Sequence, residues 1–274
     1  MKPHPQYSNL LLFDLFGRED KIVHFTTTRA GGVSNGPFSS FNMGNFSDDD
    51  PLKIRENRLI LARMFYTELE NFITPHQTHG TGVLTVDKAF LALDNAAATE
   101  ALYGMDATIT QEKGIFLCAT TADCLPIIIF DKKNEVIAAI HAGWRGTVGR
   151  IVEKTIAEMQ RQFGSSPGDL LAGIGPAICP DHYEVGDEVE DQFQKNGFDL
   201  SDVAVSYRDN SISRLHLDLS EINRRELLRL GVPLGAIEKC NLCTFDKQEL
   251  FFSARRQSVH SGRMLTGIML NRYK

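Results

Sequence analysis

Apolar positions in this chain change period near its middle. From Gly114 to His141 three short runs, Ile115 to Thr120, Leu125 to Phe130 and Val136 to His141, are dense in aliphatic and β-branched residues. Polar breaks such as Asp131-Lys-Lys-Asn-Glu135 separate them, a pattern that predicts neighbouring central strands. After a predicted turn at Gly143 to Gly146, Val148, Ile151, Val152, Ile156, Met159 and Phe163 recur at helical spacing until Gly164 stops the helix. Asp50 followed by Pro51 marks an earlier helix start, because Asp caps free N–H groups and Pro suits the first turn; Ile54, Leu61, Met64 and Phe65 give it an apolar face, and it should end before Asn71. Leu170 to Ile174 reads as a further strand, and Asp218 with Glu221 resembles a capping box opening a helix that Gly231 and Pro233 end. Strands and helices alternate irregularly, so the predicted fold class is mixed α/β (α+β) with mixed sheets rather than a regular doubly wound one.

The 274 residues, 42% of them hydrophobic, suffice for a substantial core, and one domain over 1–274 is expected. Charged residues make up 23% and the net charge is -6, which offers no positive field for nucleic acid phosphates or anionic lipid. The apolar stretch Leu10 to Phe13 is interrupted by Asp14 and has no signal-peptide pattern, and the run Leu125 to Phe130 is far short of the roughly 20 residues that span a bilayer. A cytoplasmic protein is expected. The five cysteines are an odd number and widely scattered, so reduced thiols are expected and one is available as a metal ligand or nucleophile.

Zinc takes imidazole nitrogen and thiolate sulfur in a tetrahedral shell, and three protein ligands leave the fourth position for water or substrate. His79, Cys124 and His141 make such a set, with Cys124 where one predicted strand begins and His141 where another ends. Each has a plainer reading: His79 as a polar strand residue before Gly80, Cys124 as a small buried hydrophobe, His141 as a strand cap. His76 competes with His79, but Pro75 and Gly80 argue for extended chain, in which the two point to opposite faces. Cys240-Asn-Leu-Cys243 has C-x-x-C spacing without a second pair or a thioredoxin-like context and reads as structural, so no second ligand set is visible.

Three blocks, Thr121-Ala-Asp-Cys-Leu-Pro126, His141-Ala-Gly-Trp-Arg-Gly146 and Ile174-Gly-Pro-Ala-Ile178, resemble signatures of the YfiH-like family, variously described as polyphenol oxidase, laccase domain protein, purine nucleoside phosphorylase or peptidoglycan editing factor. Thr28-Arg-Ala-Gly-Gly-Val-Ser34, Gln77-Thr-His-Gly80, His182-Tyr-Glu-Val-Gly186 and Phe252-Ser-Ala-Arg-Arg256 extend the similarity over nearly the whole chain. Cys179 departs from the pattern, standing where the family often has Gly.

The resemblance implies a layered mixed α/β fold like the catalytic domain of cytotoxic necrotizing factor, and a zinc held by His79, Cys124 and His141. It also implies phosphorolysis of adenosine, inosine, guanosine and S-methyl-5'-thioadenosine, with adenosine deamination as a further activity. For phosphate, Arg145 is the first candidate, in a turn before a helix whose expected N-cap is Thr147; Arg29 and Arg255 or Arg256 follow. Asp123 is a candidate carboxylate to orient a ligand or carry a proton, with a surface or turn-capping role as its plainer reading. The 8 histidines include no His-x-His pair, which speaks against the many-histidine centre of a multicopper oxidase, while a single copper fits the same N/S donors. A copper-dependent polyphenol oxidase, a peptidoglycan precursor editing enzyme and a non-catalytic zinc-binding protein are the alternative readings.

Overall fold

Alternation along the central strands decides which layer each residue enters. In the strand Leu125–Asp131, Ile127 and Ile129 point to one apolar cluster and Ile128 and Phe130 to another; Val136–Ala142 divides likewise, with Ala138 and Ile140 on one side and Ile137 and Ala139 on the other. Both strands are buried over their whole length. That is why their sequence reads as continuous aliphatic runs.

The structure, a computed structural model, describes residues 1–209 and 212–272. One six-stranded sheet has the order Ile237–Lys239, Leu170–Ile174, Leu125–Asp131, Val136–Ala142, Met105–Thr110, Gly82–Thr85, with a parallel pair at each edge and antiparallel pairs between. A second has the order Lys2–Pro3, Leu10–Leu12, Ile22–Thr27, Met264–Leu270, Phe116–Thr121, Phe72–Ile73. The two pack face to face through Leu117 and Ile268 on one side and Ile128, Phe130 and Ile137 on the other. A helix covers each outer face. Ile151, Val152, Ile156 and Met159 of Ile151–Phe163 pack on the first sheet, and Leu61 and Ala62 of Pro51–Met64 pack with Phe25 and Phe116 on the second. Helix, sheet, sheet and helix are thus stacked in layers, the mixed α/β class expected. A small sheet of Glu184–Val185, Ile212–Leu217 and Ala204–Asp209 packs beside them through Leu217 and the helix residues Val189 and Phe193.

Local signals mostly act as expected. Asp50 accepts the Leu52 N–H, Gly164 ends its helix at φ 69, and Asp218 accepts the Glu221 N–H. The segment after Gly143 differs. Trp144–Val148 is already a short helix capped by Gly143, and Arg150, left-handed at φ 59, separates it from Ile151–Phe163. Thr147 therefore caps nothing. Its hydroxyl accepts instead from Asn223 Nδ2 at 2.9 Å, which ties the short helix to Leu219–Arg229.

His24 is buried against Phe13 and Phe16, and its Nε2 accepts the Phe13 N–H at 2.9 Å. Burial pulls its pKa from 6.5 to about 4. Because the folded value lies below the unfolded one, the neutral ring's contribution is complete above pH 6.5 and is lost as pH falls toward 4. At ~1.36 kcal/mol per unit that amounts to about 3 kcal/mol. Urea unfolding of the wild type and His24→Gln, whose amide oxygen can accept the same N–H without titrating, is expected to diverge in pH dependence by up to that amount across this window; parallel profiles would show that His24 does not set the acid limb.

Candidate active site

Four neighbouring strands of the first sheet bring the chemistry to one end. In that sheet Leu125–Asp131, Val136–Ala142, Met105–Thr110 and Gly82–Thr85 lie side by side. Cys124 immediately precedes the first and His141 lies near the end of the second, opposite Pro126. The antiparallel register Ala107↔Ile140 brings Asp106 beside His141, and His79 precedes the fourth strand. Residues far apart in sequence thereby meet: ligand atoms of His79, Cys124 and His141 lie within 4.8 Å of one another.

Asp106 holds this cluster in shape. It is buried, its Oδ1 is 2.7 Å from His141 Nδ1, and its two oxygens accept the N–H groups of Thr78, His79 and Gly80 at 3.2, 3.1 and 2.7 Å. Engaging Nδ1 leaves His141 Nε2 directed to the cluster, the arrangement by which a carboxylate selects the tautomer of a metal-binding imidazole. His79 sits at φ 62, a strained backbone for a non-glycine residue. The three N–H bonds to Asp106 and the Gln77 amide, which pairs with the Thr120 backbone at 2.8 Å in both directions, secure that loop.

Burial opposes ionisation of Cys124, but His141 and His79 beside it outweigh that and bring the thiol down to about 6. Burial likewise opposes charge on His141, while the Cys124 thiolate and Asp106 raise it to about 9. A thiolate poised between two imidazoles is the donor set that zinc and copper share. Space is reserved for an ion as well: a Cβ on Gly143 would stand 3.1 Å from His79 Cδ2 and 3.2 Å from Cys124 Sγ. The donors and the gap fit a single metal ion.

The cluster opens into a cavity of 690 Å³ whose wall includes His76, Trp144, Arg145, Tyr183, Arg255 and Arg263. The exposed Arg145 lies over Trp144 at 4.3 Å and makes no ion pair among the described residues. Arg29 and Arg256 are elsewhere. Arg29 donates to the carbonyls of Ser39 and Gln248, and Arg256 to those of Thr244, Phe245 and Phe251, so both clamp loops, and neither reaches the cavity. Arg263, absent from the sequence reading, takes their place in the wall. Asp123 lines the cavity, but its carboxylate accepts from Thr244 Oγ1, Ser253 Oγ and the Arg255 N–H at 2.6, 3.0 and 2.6 Å. The orienting role expected of Asp123 falls to Asp106. His76 does not join the cluster either; its ring stacks on Phe46 with centroids 3.8 Å apart.

A family model described as "Multi-copper polyphenol oxidoreductase laccase" matches residues 23–271. The chain belongs to this family. It is 43% identical over 263 residues to a purine nucleoside phosphorylase of Bacteroides thetaiotaomicron, covering 96% of this chain and 97% of that protein. It is also 40% identical over 247 residues to adenosine deaminase RL5 of an unknown prokaryotic organism, covering 90% and 93%. Among solved structures, YfiH of Bacillus licheniformis superposes with a TM-score of 0.88 at 31% identity, covering 97% and 98% of the two chains. The family's description names several coppers, whereas two imidazoles and one thiolate supply donors for one ion.

Two substitutions test the metal cradle. Asp106→Asn is expected to weaken metal binding by about 10- to 100-fold, the usual cost of losing a carboxylate behind a ligand histidine. Gly143→Ala should keep the fold, since φ there is an ordinary -73, and lose metal through the added methyl group. Metal content and circular dichroism of each purified variant give the readout. Full metal occupancy in Gly143→Ala would mean that the ion does not sit among these three donors.

Proposed function

We propose that this chain is a cytoplasmic purine nucleoside phosphorylase that uses one zinc, held by His79, Cys124 and His141, and that also deaminates adenosine. The observation that carries the reading is the three-donor cluster at the floor of a cavity large enough for a nucleoside, walled by arginines. The names of the relatives give the substrate class. Residues 1–274 act as one catalytic unit in this reading.

A zinc held by His79, Cys124 and His141 would supply Lewis acidity at the floor of the cavity. The chain's own residues do the rest. Arg145, with no carboxylate partner among the described residues, would take phosphate through its guanidinium fork; Arg255 and Arg263, whose guanidinium groups donate to nearby backbone carbonyls, add only positive charge to the same wall. The stacked pair Phe46 and His76 offers a flat aromatic face suited to a purine ring. Burial pushes the Tyr183 hydroxyl well above its usual pKa, so it keeps its proton and can donate a hydrogen bond.

The direct test is the purified protein with adenosine, inosine, guanosine and S-methyl-5'-thioadenosine, with and without phosphate, read by chromatography of the released base. Free base that appears only with phosphate is expected, together with inosine from adenosine in its absence. Cys124→Ala should lose metal and both activities. Arg145→Ala should raise the KM for phosphate about 10-fold or more while zinc content and adenosine deamination persist, because water replaces phosphate in that reaction. An unchanged phosphate KM would return Arg145 to a structural role, and no base release from any nucleoside would refute the phosphorylase reading.

A further inference from the structure

Cys179 and Cys243 lie far apart in sequence, yet the Cys179 N–H donates to Cys243 Sγ at 3.2 Å, with the short ladder contact Ala177↔Cys243 beside them. Each cysteine is followed three residues on by another metal-capable group, His182 and Asp246. These groups converge. His182 Nε2 is 2.6 Å from Asp246 Oδ1, Cys179 Sγ is 3.8 Å from Asp246 Oδ2, and ligand atoms of Cys179, His182 and Asp246 all lie within 4.8 Å of one another. Donors around a tetrahedral zinc stand roughly 3 to 4 Å apart, so the cluster needs only a small spreading of the His182–Asp246 pair to enclose an ion.

We propose that Cys179, His182 and Asp246 form a second metal site, for a thiophilic divalent cation such as zinc, with Cys243 Sγ accepting the Cys179 N–H beside it. The mixture of sulfur, imidazole and carboxylate selects such an ion over calcium or magnesium, which prefer oxygen alone. The His182 ring is already oriented by stacking on Phe245, with centroids 4.2 Å apart. Burial and the neighbouring Cys243, Asp246 and Asp181 all resist ionisation of the Cys179 thiol, and a divalent cation reverses that balance by binding the thiolate.

The place of the site gives it a role. The turn Pro180–His182 leads directly into Tyr183 and Glu184 of the cavity wall, and Arg255 donates to the carbonyls of His182 and Glu184 at 3.1 and 2.9 Å. Thr244, between Cys243 and Asp246, bonds Asp123, the neighbour of Cys124. An ion here would clasp the two loops behind the cavity without touching substrate. Cys179, His182 and Asp246 share no residue with the cluster of His79, Cys124 and His141, so loss of either site leaves the other's donors intact.

Cobalt titration of metal-free protein tests it, with stoichiometry and the thiolate-to-cobalt absorption as readouts. Two ions per chain are expected in the wild type and one in Asp246→Asn, a substitution at an exposed position that should leave the fold unchanged. In Cys124→Ala one ion with a thiolate band should remain, and Cys179→Ser added to it should abolish that band. Equal stoichiometry in the wild type and Asp246→Asn, or a Cys124→Ala protein without a thiolate band, would overturn the second site.

Discussion

The buried carboxylate of Asp106 is the constraint on which the candidate site depends. Alone, a carboxylate in that position would be strongly disfavoured, since the strand around it is closed to water. It is tolerated because three backbone N–H groups and the His141 imidazole satisfy it, and charge-assisted bonds of this kind contribute roughly 1.5–3 kcal/mol each. One side chain thereby fixes two of the three donors: His141 through its ring, and His79 through the backbone of its loop. Loss of that carboxylate would release a strained left-handed turn at His79 and the tautomer of His141 together.

The layered architecture explains why the donors can be so accurately held. Each arises at the end of a strand or in the loop adjoining it; the strands of Cys124 and His141 are buried between the helix layer on one side and the second sheet on the other, and that of His79 is the half-buried edge. A packed sheet end transmits little motion. The cavity wall is built differently, from short helices and loops: Arg145 lies in Trp144–Val148, Arg255 in Ala254–Gln257, and Tyr183 and Arg263 in connecting segments.

Much of the fold was legible because burial writes directly into the strand and helix periods. Ile127 to Phe130 and Ile151 to Met159 could be placed from pattern alone, and Asp50, Gly164 and Asp218 announced helix ends through local chemistry. The cluster was less legible. Its spacing is no local motif, and the resemblance to a known family, not the spacing, singled out His79, Cys124 and His141. Asp106 gave no signal, because in Met105–Thr110 it reads as an ordinary polar strand position; only the register with Val136–Ala142 shows that it faces His141. Arg29 and Arg256 looked like anion ligands because charge is visible in a sequence, while the backbone carbonyls that engage them are not.

The donor set also bears on what kind of chemistry this member of the family can support. Oxidation of a phenol coupled to reduction of oxygen moves several electrons and is shared among several coppers in a multicopper enzyme. The cluster of His79, Cys124 and His141 offers two imidazoles and a thiolate, enough for one ion, while His76 turns its ring to Phe46 and His24 is committed to the Phe13 N–H. The arginines of the cavity wall have no evident use in electron transfer but suit an anionic co-substrate. One Lewis-acidic ion on these donors, beside the uncommitted guanidinium of Arg145, would suit polar bond cleavage, in which charge, not electrons, must be stabilised. The donor set of this cluster therefore fits one ion, not the several coppers in the wording of the family description.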